Sequence, residues 1–391
     1  MTTMRDVAVL AKVSAKTVSR VFNDDPHVLP ETRARVADAM RELGYVPNSL
    51  ARTFRTGRSP VLGVAVPDIA DPFFAVIAKA VEEVAARADM GVVVSSLGYD
   101  PQREAGALES LLRRSLSGLV VAPTSQDQGH LGTWAARLPV VFVDRPPRGL
   151  TADAFLGDDH EGGRIATEHL ISHGHREIAF VGDDPRTSTT GQRLAGYRSA
   201  LVDAGLEPSG NLVTFGAWGS RGASDSCSRS APDGATDPSR AEQVVGRLRR
   251  AGPPPTALVS ADARTTMTLV PALAGSTWAV VGFGDFPMAH MLSPALTVID
   301  QDPATLGHMA AERVIQRLAT PGRRFRRRTV TPVRLVERRS CWSPAQSAVL
   351  FPSSFPGAGP SASHVQAATP DAHAHRPAAI PVPSLVEEPT P

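Results

Sequence analysis

Residues 12–23 read KVSAKTVSRVFN, a polar and basic segment in which Val13, Val18 and Phe22 stand as apolar anchors. Ser14 is a good helix N-cap, so the spacing predicts a helix over 15–22 with Val18 and Phe22, four residues apart, on its inner face. The outer face then carries Ala15, Lys16, Thr17, Ser19 and Arg20, with Asn23 at its end. Upstream, Val7, Leu10 and Ala11 share one face of a helix predicted over 6–13. Downstream, residues 31–43 predict a third helix, stopped by Gly44. A helix, a tight turn and a second helix at this spacing is helix-turn-helix geometry, whose second helix lies in a DNA major groove. The apolar anchors then fix the angle at which the polar face is presented. Lys16 and Arg20 suit guanine O6 and N7, and the Ala15 methyl suits a thymine methyl. Ser14, Thr17, Ser19 and Asn23 suit phosphates, which set register rather than sequence. The plain alternative is an amphipathic surface helix with ordinary charges.

Charge is distributed in keeping with this. The whole chain is nearly balanced at +2, but residues 1–60 hold ten Lys/Arg against six Asp/Glu, so the positive excess is N-terminal. Two cysteines, Cys227 and Cys341, cannot build a disulfide framework and fit a reducing cytoplasm. Arg5, Asp6 and Lys12 interrupt the only apolar run that resembles a signal peptide, and no run is long enough for a membrane span. A cytoplasmic, nucleoid-associated protein without membrane contact is expected.

Beyond a Pro-led linker at 47–59, with one short helix predicted over 48–55, the pattern changes to Val-rich runs separated by amphipathic stretches. The runs VLGVAVP (61–67), GVVVSS (91–96), GLVVAP (118–123), PVVFVD (139–144), EIAFVG (177–182), TALVS (256–260) and WAVVGF (278–283) predict buried parallel strands in an α/β fold. Some 280 residues are long for one sheet, so two lobes are expected, with a ligand between them at the carboxyl ends of the strands. Residues 216–238, rich in Gly, Ser and Asp, read as a mobile insertion, and 342–391, rich in Pro and Ala, as a disordered tail.

MRDVAVLAKVSAKTVSRVFN, TRARVADAMRELGYVPNSLAR and LGVAVPDIADPFF, followed by DHEGGRIATEHLISHGHREIAFVG, GQRLAGYRSAL, PALTVIDQDPATLG and RLVERRS, resemble the lactose/galactose repressor family of bacterial transcription regulators over about residues 3–341. The resemblance implies a helix-turn-helix head at 1–46, a hinge helix and linker at 47–59, and a two-lobed, periplasmic-binding-protein-like core at 60–341. It implies a homodimer or a dimer of dimers on palindromic operator DNA, without enzymatic activity or cofactor. By position Phe54, where the family usually has Leu, is the wedge inserted in the minor groove, with Asn48 and Ala51 among the hinge contacts. Arg193, in GQRLAGY, is the arginine that grips the small-molecule effector. Asp71, Phe73, Phe74, Asp144, Arg145, Asp262 and Gln301 join it, a set suited to a sugar or related polyol. One departure stands out: Val-Gly-Phe is followed by Gly284 where the family often has Asp, so Asp285 is the expected substitute. The segment 259–283 is also shorter than usual, which suggests a trimmed lobe.

His169, His173 and His175 include an i, i+4 pair able to ligate zinc, but a structural role at the helix end is the simpler expectation, and no metal is expected. Alternating Val and Arg in FRRRTVTPVRLVERR (325–339) predict a strand with a solvated face rather than a nucleic-acid patch. A solute-binding protein or sugar-processing enzyme on the same core is the rival from another class. It would have no use for residues 12–23, and the chain carries none of the common nucleotide, zinc-protease or serine-hydrolase motifs.

Overall fold

The computed structural model describes residues 2–22, 25–45, 61–216, 218 and 238–342. The head is built from α1 (Met4–Leu10), α2 (Ala15–Phe22) and α3 (Pro30–Glu42). Thr3 and Asp6 close a capping box on α1: Thr3 N donates to Asp6 Oδ2 at 2.8 Å while Asp6 N donates to Thr3 Oγ1. Lys12 makes the turn in the left-handed region, φ 53°. Ser14 Oγ then accepts from Thr17 N at 3.0 Å and so caps α2 as expected. Val7, Val18 and Val36, one from each helix, are fully buried and form the centre of the small core.

Here the structure corrects the inner face of α2. Val21 is buried beside Val18, whereas Phe22 is 37% exposed. Both Val21 and Phe22 lie within one turn of Val18, on opposite sides of it. Helices α1 and α3 cover the Val21 side, which leaves the Phe22 ring at the edge. The linker, with its expected helix over 48–55 and Phe54, lies outside the described residues, as does Asn23.

From Val61 the chain builds one lobe with β1 (Val61–Val66), α4 (Pro72–Arg87), β2 (Gly91–Ser96), α5 (Pro101–Leu112), β3 (Gly118–Val121), β4 (Val140–Val143) and β5 (Asp153–Gly157). It crosses to a second lobe of α6 (Asp159–Ser172), β6 (Ile178–Gly182), α7 (Ser188–Asp203), β7 (Val213–Phe215), α8 (Pro238–Arg250), β8 (Ala257–Ser260), α9 (Ala263–Ala272), β9 (Ala279–Phe283) and β10 (Thr297–Asp300). It returns for α10 (Pro303–Ala319) and β11 (Arg328–Thr331), then crosses again for β12 (Arg334–Val336). The two sheets run β11-β5-β4-β3-β1-β2 and β12-β10-β9-β8-β6-β7. Every pairing is parallel except β12 on β10.

Each sheet is covered on both faces, which is why its strands are Val-rich runs without alternation. Leu306, Ala310 and Val314 of α10 pack with Phe74, Ile77 and Val81 of α4 on one face of the first sheet. Leu108, Leu111 and Leu112 of α5 cover the other. In the second lobe Phe180, Tyr197 and Phe283 lie on one face and Leu248, Leu258 and Leu269 on the other. Six strands remain in this lobe despite the short 259–283 segment. The stretch at 325–339 is two strands in two sheets, β11 and β12, rather than one, because Pro332 falls at the crossing between lobes. Trp218, inside the expected insertion, is buried; its backbone N donates to Asp183 Oδ1 at 2.7 Å and its Nε1 to Thr265 Oγ1 at 2.9 Å. The rest of 219–237 and of 343–391 lies outside the described residues.

Glycine sets the closest contact between helices. A Cβ on Gly196 of α7 would lie 1.9 Å from the His160 carbonyl oxygen of α6, and one on Gly163 would lie 2.1 Å from the Arg193 carbonyl oxygen. The helices therefore meet backbone to backbone, which fixes where Arg193 begins. Gly196→Ala is expected to cost about 2–3 kcal/mol through overpacking and to lower the melting temperature by several degrees. Gly210→Ala, whose Cβ would meet nothing within 4 Å, should leave it almost unchanged in the same thermal denaturation experiment.

Candidate functional site: a basic helix and a polar cleft

On α2 the side chains of Ala15, Lys16 and Arg20 are exposed, and Thr17 and Ser19 are half-buried. Ser14 Oγ and Thr17 Oγ1 lie 2.9 Å apart at the cap, where both reach solvent. Arg20, 56% exposed at its side chain, keeps Nε 3.2 Å from Asp25 Oδ2. Asp25 also accepts from His27 N at 3.0 Å, and these contacts hold its carboxyl below the usual range. The helix thus offers donors on a solvent-facing surface, with its core face locked.

The second feature is a cleft of about 1040 Å³ between the carboxyl ends of the two sheets. After β1, Asp71 caps α4 by accepting from Phe73 N at 3.0 Å, which brings Phe73 and Phe74 to the cleft as an edge-to-face pair with centroids 5.1 Å apart. After β4, Asp144 sits at φ +67°, and Arg145 N donates back to the Val143 carbonyl at 2.7 Å. Such a three-residue turn is strained for a residue with a Cβ, and it turns both side chains into the cleft. Arg145 Nη1 donates to the Pro123 carbonyl at 2.8 Å.

The second lobe faces these groups. Arg193 is 4% exposed; its Nε donates to Asp159 Oδ1 at 2.8 Å, Nη1 donates to the Ala261 carbonyl, and its guanidinium lies 4.1 Å from the centre of the Phe283 ring. Gln301 Nε2 also donates to Asp159 Oδ1, at 3.4 Å. Asp262 caps α9 by accepting from Thr265 N at 2.7 Å and Oγ1 at 2.8 Å. Asp71 is pushed up to about 6, chiefly by burial and then by the carboxylates of Asp262 and Asp144, against the Phe73 hydrogen bond. Burial likewise raises Asp144, Asp159 and Asp183, although Arg145, Arg193 and Arg264 respectively oppose it.

The structure therefore brings Asp71, Phe73, Phe74, Asp144, Arg145, Arg193, Asp262 and Gln301 to one cleft. Asp285 is not among them. Its carboxylate is taken by Arg338, with Nη2 donating to Oδ2 at 2.6 Å, while Gly284, φ +79°, lines the wall. The left-handed backbone at Gly284 turns the next residue away from the cleft. Reading from sequence also missed Asp159, Asp183, Tyr99 and Arg264. Tyr99 lies just after β2 and Arg264 just after β8, so the rule that carboxyl ends of parallel strands bind ligands would have found both.

Of the histidines, His175 Nε2 donates to the Trp342 carbonyl at 2.7 Å, a structural tie between the start of β6 and the chain beyond β12. The His169 and His173 rings lie with centroids 4.5 Å apart, tilted by 57°, and Glu337 completes a group whose ligand atoms lie within 4.8 Å of one another. Burial raises the Cys341 thiol to about 11, so it is no nucleophile near neutral pH. Among the described residues no helix is long and apolar enough to cross a membrane.

A helix-turn-helix head joined in one chain to a two-lobed core with a polar cleft defines a DNA-binding regulator with a ligand-binding domain. Residues 3–48 match the bacterial regulatory proteins of the lacI family, 59–221 the periplasmic binding proteins and sugar binding domain of the LacI family, and 167–341 a periplasmic binding protein-like domain. The HTH-type transcriptional regulator GalR of Salmonella typhimurium is 31% identical over 80% of this chain and 88% of its own length. The ribose operon repressor of Escherichia coli is 30% identical over 87% of this chain and 100% of its own. A crystal structure of the Lac repressor dimer bound to operator and the anti-inducer ONPF superimposes with a TM-score of 0.72 at 26% identity, covering 88% of this chain and 99% of that one. The chain belongs to the LacI family of DNA-binding transcriptional regulators.

Because the folded protein holds a proton on Asp71 up to about pH 6 while the unfolded chain releases it near 3.8, the unfolded state gains as pH rises between those values. Asp71 alone should make stability fall across that window by at most about 1.4 kcal/mol per pH unit, in addition to the same-signed contribution of Asp159. Asp71→Asn should flatten this part of the curve in urea denaturation followed at several pH values.

Proposed function

We propose that this protein is a repressor whose operator affinity is set by a small, sugar-like effector held in the cleft. The observation that carries the reading is the joint presence of a core-locked helix with Ala15, Lys16 and Arg20 exposed and a cleft where buried Arg193 stands opposite Asp71 and Asp144. Helix α2 reads one half-site, and a second copy reads the other, so the working unit is at least a homodimer on a palindromic operator in the cytoplasm. Likeness to the operator-bound Lac repressor dimer and to the ribose operon repressor supports this assignment. The family resemblance assigns residues 48–55, which lie outside the described residues, as the proposed hinge helix on operator, with Phe54 as the proposed minor-groove wedge.

Effector in the cleft changes the angle between lobes and so the spacing of the paired hinge segments. The chemistry is binding and not catalysis: carboxylates accept hydrogen bonds from hydroxyls, arginines donate to oxygens, and Phe73, Phe74 and Phe283 present apolar faces to a sugar ring. Mobility shift on the DNA upstream of the protein's own gene tests the reading. A sequence-preferring complex that weakens steeply with salt is expected, by about 10³-fold or more between 50 and 200 mM if six or more phosphates are contacted. No complex at low salt would favour a solute-binding role instead. Arg20→Ala should lower specific binding by about 1–3 kcal/mol. Its effect on melting temperature should be slight, since its contact with Asp25 is an exposed ion pair.

A further inference from the structure

Most buried polar side-chain atoms of the described residues have hydrogen-bond partners, and the exceptions concentrate in the cleft. Arg264 is 6% exposed, yet Nε, Nη1 and Nη2 make no well-aligned hydrogen bond, the contact with the Tyr99 hydroxyl included. Its nearest counter-charge is Asp183, with Nη2 to Oδ2 at 3.5 Å, too long for a good bond. The guanidinium lies 3.9 Å from the centre of the Tyr99 ring, and the buried Tyr99 hydroxyl is itself without a well-aligned partner. Arg145 Nε is the third such group: it is 3.2 Å from Asp144 Oδ2 but not aligned to donate to it. All of these atoms can donate, they belong to residues that line the same cleft, and these come from both lobes, Tyr99 and Arg145 from the first and Arg264 from the second.

The acidic side of the cleft is in the opposite condition. Asp71 accepts from Phe73 N, Asp183 from Trp218 N, and Asp262 from Thr265 N and Oγ1. Asp184 is held by Arg186 through Nε and Nη2. Unmet demand in the cleft is thus for acceptors. A neutral polyol brings a donor with every hydroxyl acceptor and only one charge-neutral oxygen to each contact, whereas a planar or tetrahedral oxyanion brings acceptors alone and matches the Arg264 fork in a two-pronged, charge-assisted contact.

We infer that the effector is an anionic sugar derivative, a sugar acid or a sugar phosphate, whose oxyanion is gripped by Arg264 with Tyr99 and Arg145 while its hydroxyls meet the carboxylates and Arg193. This deepens the effector reading proposed above and rests on it. Because Arg264 and Tyr99 belong to different lobes, the same oxyanion stabilises the closed cleft, and so links ligand charge to the lobe angle.

The test is thermal denaturation and calorimetric titration of the full chain with hexoses and pentoses, each compared with its own acid and its own phosphate ester. Inorganic phosphate and sulfate serve as controls for non-specific anion effects. At least one acid or ester is expected to stabilise the protein beyond its neutral parent and beyond the inorganic ions, and whether the acid or the ester does so distinguishes carboxylate from phosphate. Arg264→Met should weaken that ligand about tenfold to a hundredfold, the loss of a charge-assisted contact. Tyr99→Phe, which keeps the ring under the guanidinium, should weaken it less. Neutral parents that bind as well as their anionic counterparts, an anionic preference that survives Arg264→Met, or no response to any anionic member would each overturn the inference. A neutral sugar that binds and shifts operator affinity would do so while leaving the effector reading standing; indifference of operator affinity to every compound would sink both.

Discussion

Parallel strands all end on the same side, and that constraint organises the molecule. In each six-stranded sheet the carboxyl ends of the parallel strands, all but β12, form one edge, and the chain crosses between lobes after β5, β10 and β11, so the two edges face each other. Polar groups gathered there cannot be covered by strand hydrogen bonds and must be held by the turn or helix that succeeds each strand. Asp71 and Asp262 are therefore helix caps, Asp144 sits in a strained turn, and Arg193 is placed by a helix pair that meets at glycine. Position and chemistry have the same origin.

Energetically the cleft is an expensive arrangement. Carboxylates and guanidinium groups this deeply buried gain from pairing about what they lose in hydration. The Arg193–Asp159 pair resolves this internally, with further support from Gln301 and the Phe283 ring. Arg264 does not, since its nearest counter-charge stands at 3.5 Å. A site whose internal pairs are part complete and part open is pre-organised for a ligand that completes them. Such a ligand controls DNA binding only through a difference in its affinity for two arrangements of the core, and the three crossings are where a change of lobe angle must be absorbed.

Much of this was legible in the sequence. The head can be read from residues 3–44 because its helices are short, capped and locally patterned. Val-rich runs mark the central strands because burial on both faces removes alternation. The features that were not legible depend on long-range placement. Strand β5 reads DAFLG, with Asp153 at its start bound by Arg317, and looks like a loop without that partner. The 325–339 stretch carries one pattern but serves two sheets, since only the fold decides that the chain changes lobes at Pro332. Phe22 and Val21 are equally apolar, and only the positions of α1 and α3 choose between them. Asp285 has the right chemistry beside the right position, but Arg338, fifty-three residues away, takes its carboxylate. Arg264 carries no local motif, and it becomes notable only when the structure leaves its nitrogens without well-aligned partners.

Linkage provides the most direct measurement. Titrate the full chain calorimetrically with the sugar derivative that stabilises it most, first alone and then saturated with operator duplex. If the cleft and the head are coupled, the ligand's Kd shifts on DNA by the same factor by which the ligand shifts the duplex's Kd, typically about 5–150-fold. An identical Kd with and without duplex would show that the cleft and the reading head are independent, and that the cleft does not control the head.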